Sequence, residues 1–274
     1  MKESVLKIIK TPLVYIFSGI YFLAVLIKRN FKEYALTDAL FTFLLFSCLL
    51  TTIMFLISKS SNRNVITIKD PEKESLIVIT YFLGWLLIFM AFGKHLLTNK
   101  FLSVGLGFRG LLVILPFIYL KLNGYRIADF GLTKRFYIQN LKVSILACLA
   151  VIGLLLFITP GGKYILNRAL PFDTLIISFS ISFGYALISA AFFEEFFFRG
   201  ILQTRLTQYF KSDIKGILVA SIVFGLYHLP FQYYNEAASN GDIIYALSNV
   251  FTEQMITAPV FGILWARTQN LVAP

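Results

Sequence analysis

Eight apolar stretches, at about 12–27, 36–58, 75–93, 104–120, 142–159, 174–207, 214–229 and 243–266, leave this chain little choice of solvent. Most approach the roughly 20 residues with which a helix crosses about 30 Å of hydrocarbon. A bilayer core admits only backbones that satisfy their own hydrogen bonds, so each stretch predicts a membrane helix. Composition agrees: 58% hydrophobic residues, 14% charged residues and a mean hydropathy of +0.77 are more than a water-soluble domain of 274 residues carries. The expected fold is all-α, a polytopic transmembrane bundle of about eight helices.

Charge then gives orientation. A net +11 could suggest nucleic acid, but the 25 Lys and Arg residues are spread between the apolar spans, as anchors for anionic headgroups would be. With the N-terminus inside, the inner segments hold 16 of them and the outer segments seven, so a cytoplasmic N-terminus is expected. Lys2, Lys7 and Lys10 precede the first stretch, which lacks a small-residue cleavage site and reads as a retained helix. Cys48 and Cys148 both fall in apolar spans and suggest packing rather than a disulfide or a metal site. The polar stretch 121–141, with Gly124, Gly131 and clustered charge, is expected to be a cytosolic connector. It divides an N-terminal four-helix region, 1–120, from a region at 142–274 that carries the chemistry.

That chemistry starts at Phe193-Glu194-Glu195-Phe196-Phe197-Phe198-Arg199 in the sixth stretch. Charges at mid-membrane cost roughly 2.5 to 3.5 kcal/mol each on insertion scales, so three in six residues need a reason. From Thr174 to Thr207 there is no proline, which predicts one long helix of about 50 Å. On it Glu195 and Arg199 are four apart and share a face, whereas Glu194 is turned about 100° away. Glu195 is expected to pair with Arg199. Glu194, with no cation on its own helix, is left as a candidate general base.

A base needs a companion, and the chain has two histidines. His95 follows Lys94 at a helix end and reads as interfacial. His228, in Phe224-Gly-Leu-Tyr-His228-Leu-Pro230, lies on the seventh span just before a proline expected to help end it. With a turn near Lys211–Asp213, Glu194 falls 17 residues before Lys211 and His228 17 after it. An antiparallel hairpin therefore sets both at one depth. Phe224, one turn before His228, could wall the site against water.

Glu-Glu-x-x-x-Arg on one membrane helix and Phe-x-x-x-His on the next resemble the CPBP family, the CAAX-processing and bacteriocin-immunity (Abi) group of intramembrane proteases. The likeness runs from about Asp129-Phe-Gly131-Leu onward. It implies that Glu194 and His228 activate the attacking water, with Glu195 and Arg199 as structural support. It also implies a later His-x-x-x-Asn motif binding the oxyanion or a metal; the sequence given ends at Pro274 before that motif, and a continuation into a further span is expected. Zinc is the possible cofactor, with Glu194 and His228 as ligands, but two are fewer than the three protein ligands of a catalytic zinc, and metal-free glutamate chemistry stands slightly ahead.

Other charged residues have plainer readings. Arg109, in the fourth span, could snorkel or bind a lipid or an acidic partner, and no catalysis is assigned to it. Glu253, midway along the eighth span, reads first as a helix-to-helix hydrogen bond, the alternative being that it lines the site or pairs with Arg199. The phenylalanines at 196–198 read as packing or lipid-facing surface. The expected function is an intramembrane endopeptidase acting on a membrane-associated peptide or protein; the alternative is a non-catalytic scaffold, immunity or regulatory protein of the same fold. A transporter would show inverted repeats and broken helices, and neither is clear. The Lys-, Ile-, Phe- and Asn-rich usage suggests a bacterial cell membrane and substrates such as pheromone or bacteriocin precursors.

Overall fold

Each of the eight apolar stretches lies on helix in a computed structural model of the chain, which describes residues 10–31, 35–98, 106–158, 160–167, 172–236 and 239–274. Lys2 and Lys7 fall outside the described residues. The helices are α1 (Pro12–Phe31), α2 (Leu36–Ile57), α3 (Pro71–Thr98), α4 (Leu106–Leu122), α5 (Tyr137–Ile158) and α6 (Pro160–Asn167). Next come α7 (172–209), α8 (Asp213–Tyr227), α9 (Leu229–Tyr233) and α10 (243–268). There is no strand among the described residues. Among the described residues six helices are long and apolar enough to cross a membrane. The chain is an integral membrane protein.

Local chemistry sets the helix starts. Asp70 accepts a hydrogen bond from Lys73 N at 3.1 Å ahead of α3, Ser212 accepts from Lys215 N ahead of α8, and Asp242 accepts from Ile244 N and Tyr245 N ahead of α10. The predicted turn at Lys211–Asp213 is present, with Lys211 at φ 50° and Ser212 as the cap of α8. α8 ends at Tyr227, three residues before Pro230, as expected of a proline that helps end it. Pro230 itself sits in the first turn of α9, where its missing N–H costs nothing, and this short helix runs on to Tyr233.

The centre of the bundle is α8. It packs against α1, the second half of α7 and α10, and 61% of its span is buried, against 6% for the apolar window of α7. The first half of α7 stands clear of the bundle, exposing Ile176, Ile177, Phe179, Ile181 and Phe183 as lipid-facing surface would be. The second half is enclosed: Phe196, Phe197 and Phe198 are buried against Phe82, Phe117, Phe130 and Phe224. Those phenylalanines are packing, not lipid-facing surface.

The connector end is tied by side chains that stand in for missing secondary structure. Residues 64–68 belong to no helix or strand, so their backbone groups need partners elsewhere. Asn64 N donates to Thr268 O at 2.9 Å, Ile66 N to Gln269 Oε1 at 3.0 Å, and Ile68 N to Gln208 Oε1 at 3.0 Å. Gln208 Nε2 in turn donates to Ile66 O at 2.6 Å. This strap carries Ile66 and Ile68 into the main apolar core. Beneath it Arg205 Nε meets Glu74 Oε2 at 2.9 Å, and Tyr125 donates its hydroxyl to Glu74 Oε1 at 2.6 Å. Burial, then the hydrogen bond to Glu74, push the Tyr125 phenol up to about 12, so it remains a donor.

The motif Asp129-Phe-Gly131-Leu forms a 3₁₀ turn, Ile127–Phe130, closed by Gly131 at φ 82°. Gly131 O accepts from Leu271 N at 3.1 Å, and a Cβ on Gly131 would overlap the Trp265 ring. Gly131→Ala is therefore expected to cost about 2 to 5 kcal/mol, from left-handed strain and overpacking together. Thermal unfolding of the detergent-solubilised variant checks this; an unchanged melting temperature would count against it.

Candidate active site

The carboxylate pair sits where α7 changes its winding. Two π-helical segments, Leu187–Ala191 and Phe196–Gln203, flank a single α-turn, Phe192–Glu195. Each widened turn breaks the ordinary i to i−4 ladder and rotates the residues beyond it, a distortion common at functional positions. The second segment is held by Thr204, whose hydroxyl donates to Arg199 O at 2.9 Å. It is also held by close approach of Phe130 O to Gly200, where a Cβ would lie 2.9 Å from that oxygen. No local sequence signal announces these segments, so the straight helix expected from the absence of proline is in fact re-registered on both sides of the glutamates.

Glu195 and Arg199 meet as the four-residue spacing predicts, Nε to Oε2 at 3.2 Å, close enough for an ion pair though poorly aligned as a hydrogen bond. Arg199 is fully buried, donates from Nη2 to Ala258 O at 3.2 Å, and lies 5.4 Å from the Phe224 ring centre. The pair thus ties α7 to α10 through a guanidinium that no solvent reaches.

Glu194 does have a cation, contributed by another helix. Arg109 Nε on α4 lies 3.5 Å from Glu194 Oε1 and donates to the Tyr227 hydroxyl at 2.9 Å, while its Nη1 donates to Ser189 O at 2.9 Å. The Tyr227 hydroxyl reaches Glu194 Oε1 at 3.4 Å. Arg109 therefore points inward to an acidic partner, not toward headgroups, and the cation that Glu194 lacks on its own helix comes from α4. A usable signal was present: an arginine in mid-span needs an acid, and Glu194 was the membrane carboxylate left over.

His228 lies between α8 and α9. Its Nδ1 is 3.0 Å from Phe224 O, and its ring packs on Phe224 at 4.7 Å and Tyr227 at 4.8 Å between centres. A carbonyl can only accept, so the bond assigns the proton to Nδ1 and leaves the Nε2 lone pair open in the neutral ring. Tyr227 links Glu194 and His228: its hydroxyl reaches Glu194 Oε1 at 3.4 Å and its ring packs on the His228 ring. Glu253 stands elsewhere: it pairs with Lys28 on α1 at 2.7 Å rather than with Arg199, and its side chain is half-exposed.

Glu194 is partly buried, with 14% of its side chain exposed. Both described contacts of its carboxylate fall on Oε1. A catalytic zinc takes three protein ligands. Among the described residues no three His, Cys, Asp or Glu side chains group to hold a metal, and a guanidinium already faces Glu194. This donor set does not fit a zinc of that kind.

Residues 176–274 match the family model described as type II CAAX prenyl endopeptidase Rce1-like, a similarity consistent with the CPBP intramembrane proteases. Members of that family are peptidases. No curated protein and no solved structure matches the chain. The matched region includes Glu194, Glu195, Arg199, Phe224 and His228 and leaves out Arg109 and Glu74.

Proposed function

We propose that the protein is an intramembrane endopeptidase in which Glu194, helped by His228, activates a water molecule against a peptide bond of a membrane-associated substrate. One observation carries the reading: each of the two side chains has one polar atom fixed by the protein and the other without a described contact, Glu194 Oε2 and His228 Nε2. On this reading the two acceptors hold one water by both of its hydrogens, which aims an oxygen lone pair outward.

Glu194 Oε2 takes one proton as the water oxygen bonds to the scissile carbonyl carbon. The C–N bond then breaks, and the same carboxyl returns that proton to the departing amine nitrogen. Water is thereby divided between a new carboxyl and a new amine, with no redox change and no cofactor. The aromatic wall of Phe224, Tyr227 and Phe231 keeps bulk water from the imidazole, where weak dipoles then act strongly.

Substrates are proposed to be membrane-anchored peptides of a bacterial cell, reached from the bilayer or the cytoplasmic side. His228→Gln in the full-length protein, reconstituted in vesicles with a pool of lipid-anchored peptides, is expected to lower kcat about 10²-fold while helical content and melting temperature stay near wild type. Mass spectrometry of the products checks it. Cleavage at the wild-type rate would remove His228 from the mechanism.

A further inference from the structure

We infer that the site is composite: Arg109 on α4, acting with Tyr227, is the positioning residue that fixes the Glu194 carboxylate, so the Rce1-like region does not contain the whole working site. This rests on the reading of Glu194 as the proton acceptor. The geometry is a closed chain. Ser189 O receives Arg109 Nη1 at 2.9 Å, Arg109 Nε donates to the Tyr227 hydroxyl at 2.9 Å, and that hydroxyl donates onward to Glu194 Oε1. The acceptor Ser189 belongs to the first π-helical segment of α7, so the guanidinium is anchored to the distortion that presents Glu194.

Every free motion of the carboxylate is opposed. Tyr227 is fully buried, stacked on Trp85 at 5.4 Å and edge-on to Phe198 at 5.3 Å, so its hydroxyl stays where Arg109 and Glu194 meet it. Arg109 lies 5.7 Å from the Phe231 ring centre, on the helix just after His228. With Oε1 occupied from two sides, rotation of the glutamate is stopped in the pose that leaves Oε2 for water. An ammonium could supply the countercharge but not the planar fork that serves a carbonyl, a phenol and a carboxylate together.

The test uses the full-length chain in vesicles and the same lipid-anchored peptide pool. Arg109→Met is expected to lower kcat about 10²-fold with KM within about threefold, Arg109→Lys to recover no more than about tenfold of that loss, and Tyr227→Phe to cost about tenfold in kcat. A merely structural arginine would change the amount of folded protein and leave kcat per folded molecule intact, and that result would overturn the assignment. If wild type and every variant fail to cleave, the hydrolytic reading fails instead. The pairing is then decided by a thermal double-mutant cycle of Arg109→Met with Glu194→Gln. Strongly non-additive melting temperatures support the link between α4 and Glu194, and additive ones overturn it.

Discussion

Glu194→Gln is expected to reduce peptide hydrolysis at least about 10³-fold while the bundle remains folded, the upper range for loss of a general base. Glutamine has the same shape, and its carbonyl oxygen can still accept from Arg109 and Tyr227 in the place of Oε1. The group at the position of Oε2 becomes an amide that cannot take a proton from water. The loss should therefore appear in kcat, with KM little changed, because nothing that touches substrate before the chemical step has moved. Initial rates on the peptide pool, normalised to folded protein, measure it. A glutamine variant that retains a tenth or more of wild-type kcat would mean that another group takes the proton.

The second large effect lies at the connector end. Arg205 is fully buried and Glu74 nearly so, and they meet at 2.9 Å with Tyr125 completing the carboxylate's hydrogen bonds. Arg205 also donates to Ile201 O at 2.9 Å and lies 5.2 Å from the Tyr125 ring centre. Glu74→Gln leaves that guanidinium buried without a countercharge, at an expected cost of about 3 to 5 kcal/mol. Apparent melting in detergent should fall by roughly 10 °C. Adding Arg205→Met removes the stranded charge and should recover most of the loss, which a simple packing defect would not do. An unchanged melting temperature in Glu74→Gln would show that this ion pair does not hold α3 to α7.

The contrast between these two regions explains which features the chain disclosed before folding. Membrane spans were legible because hydrocarbon thickness imposes a length that apolar residues must fill, and the described parts of all eight stretches fall largely on helix. The hairpin of α7 and α8 was legible because two helices of equal rise from one turn share a depth. Glu195 with Arg199 was legible as a pair four apart. Other contacts depend on which helix becomes whose neighbour, and spacing says nothing of that. Arg109 reaches Glu194 across 85 residues of chain, Arg205 reaches Glu74 across 131, and Lys28 takes Glu253 across 225. The π-helical turns were hidden for a different reason. They arise from tertiary partners such as Phe130 O on Gly200, in a segment where a single glycine among phenylalanines and ordinary helix formers does not by itself predict a widened turn.

Arg109 shows how such a contact could still be sought. A mid-span cation is too costly to leave unpaired, so it predicts an acid at its own depth even when the sequence does not say on which helix. In this chain that rule points to the same carboxylate that the Glu-Glu-x-x-x-Arg spacing leaves without a partner. Two independent arguments then meet on Glu194, one from local periodicity and one from the cost of charge in hydrocarbon.

The most direct measurement is cleavage of the lipid-anchored peptide pool in ¹⁸O-labelled water with hydroxylamine present as a competing nucleophile, comparing wild type with Glu194→Gln. Direct attack by Glu194-activated water gives a wild-type product whose new carboxyl carries one ¹⁸O, no peptide hydroxamate, and no product from the variant. A hydroxamate would reveal a covalent acyl-enzyme, and equal product from the glutamine variant would place the chemistry elsewhere; either result contradicts direct attack by water held at Glu194.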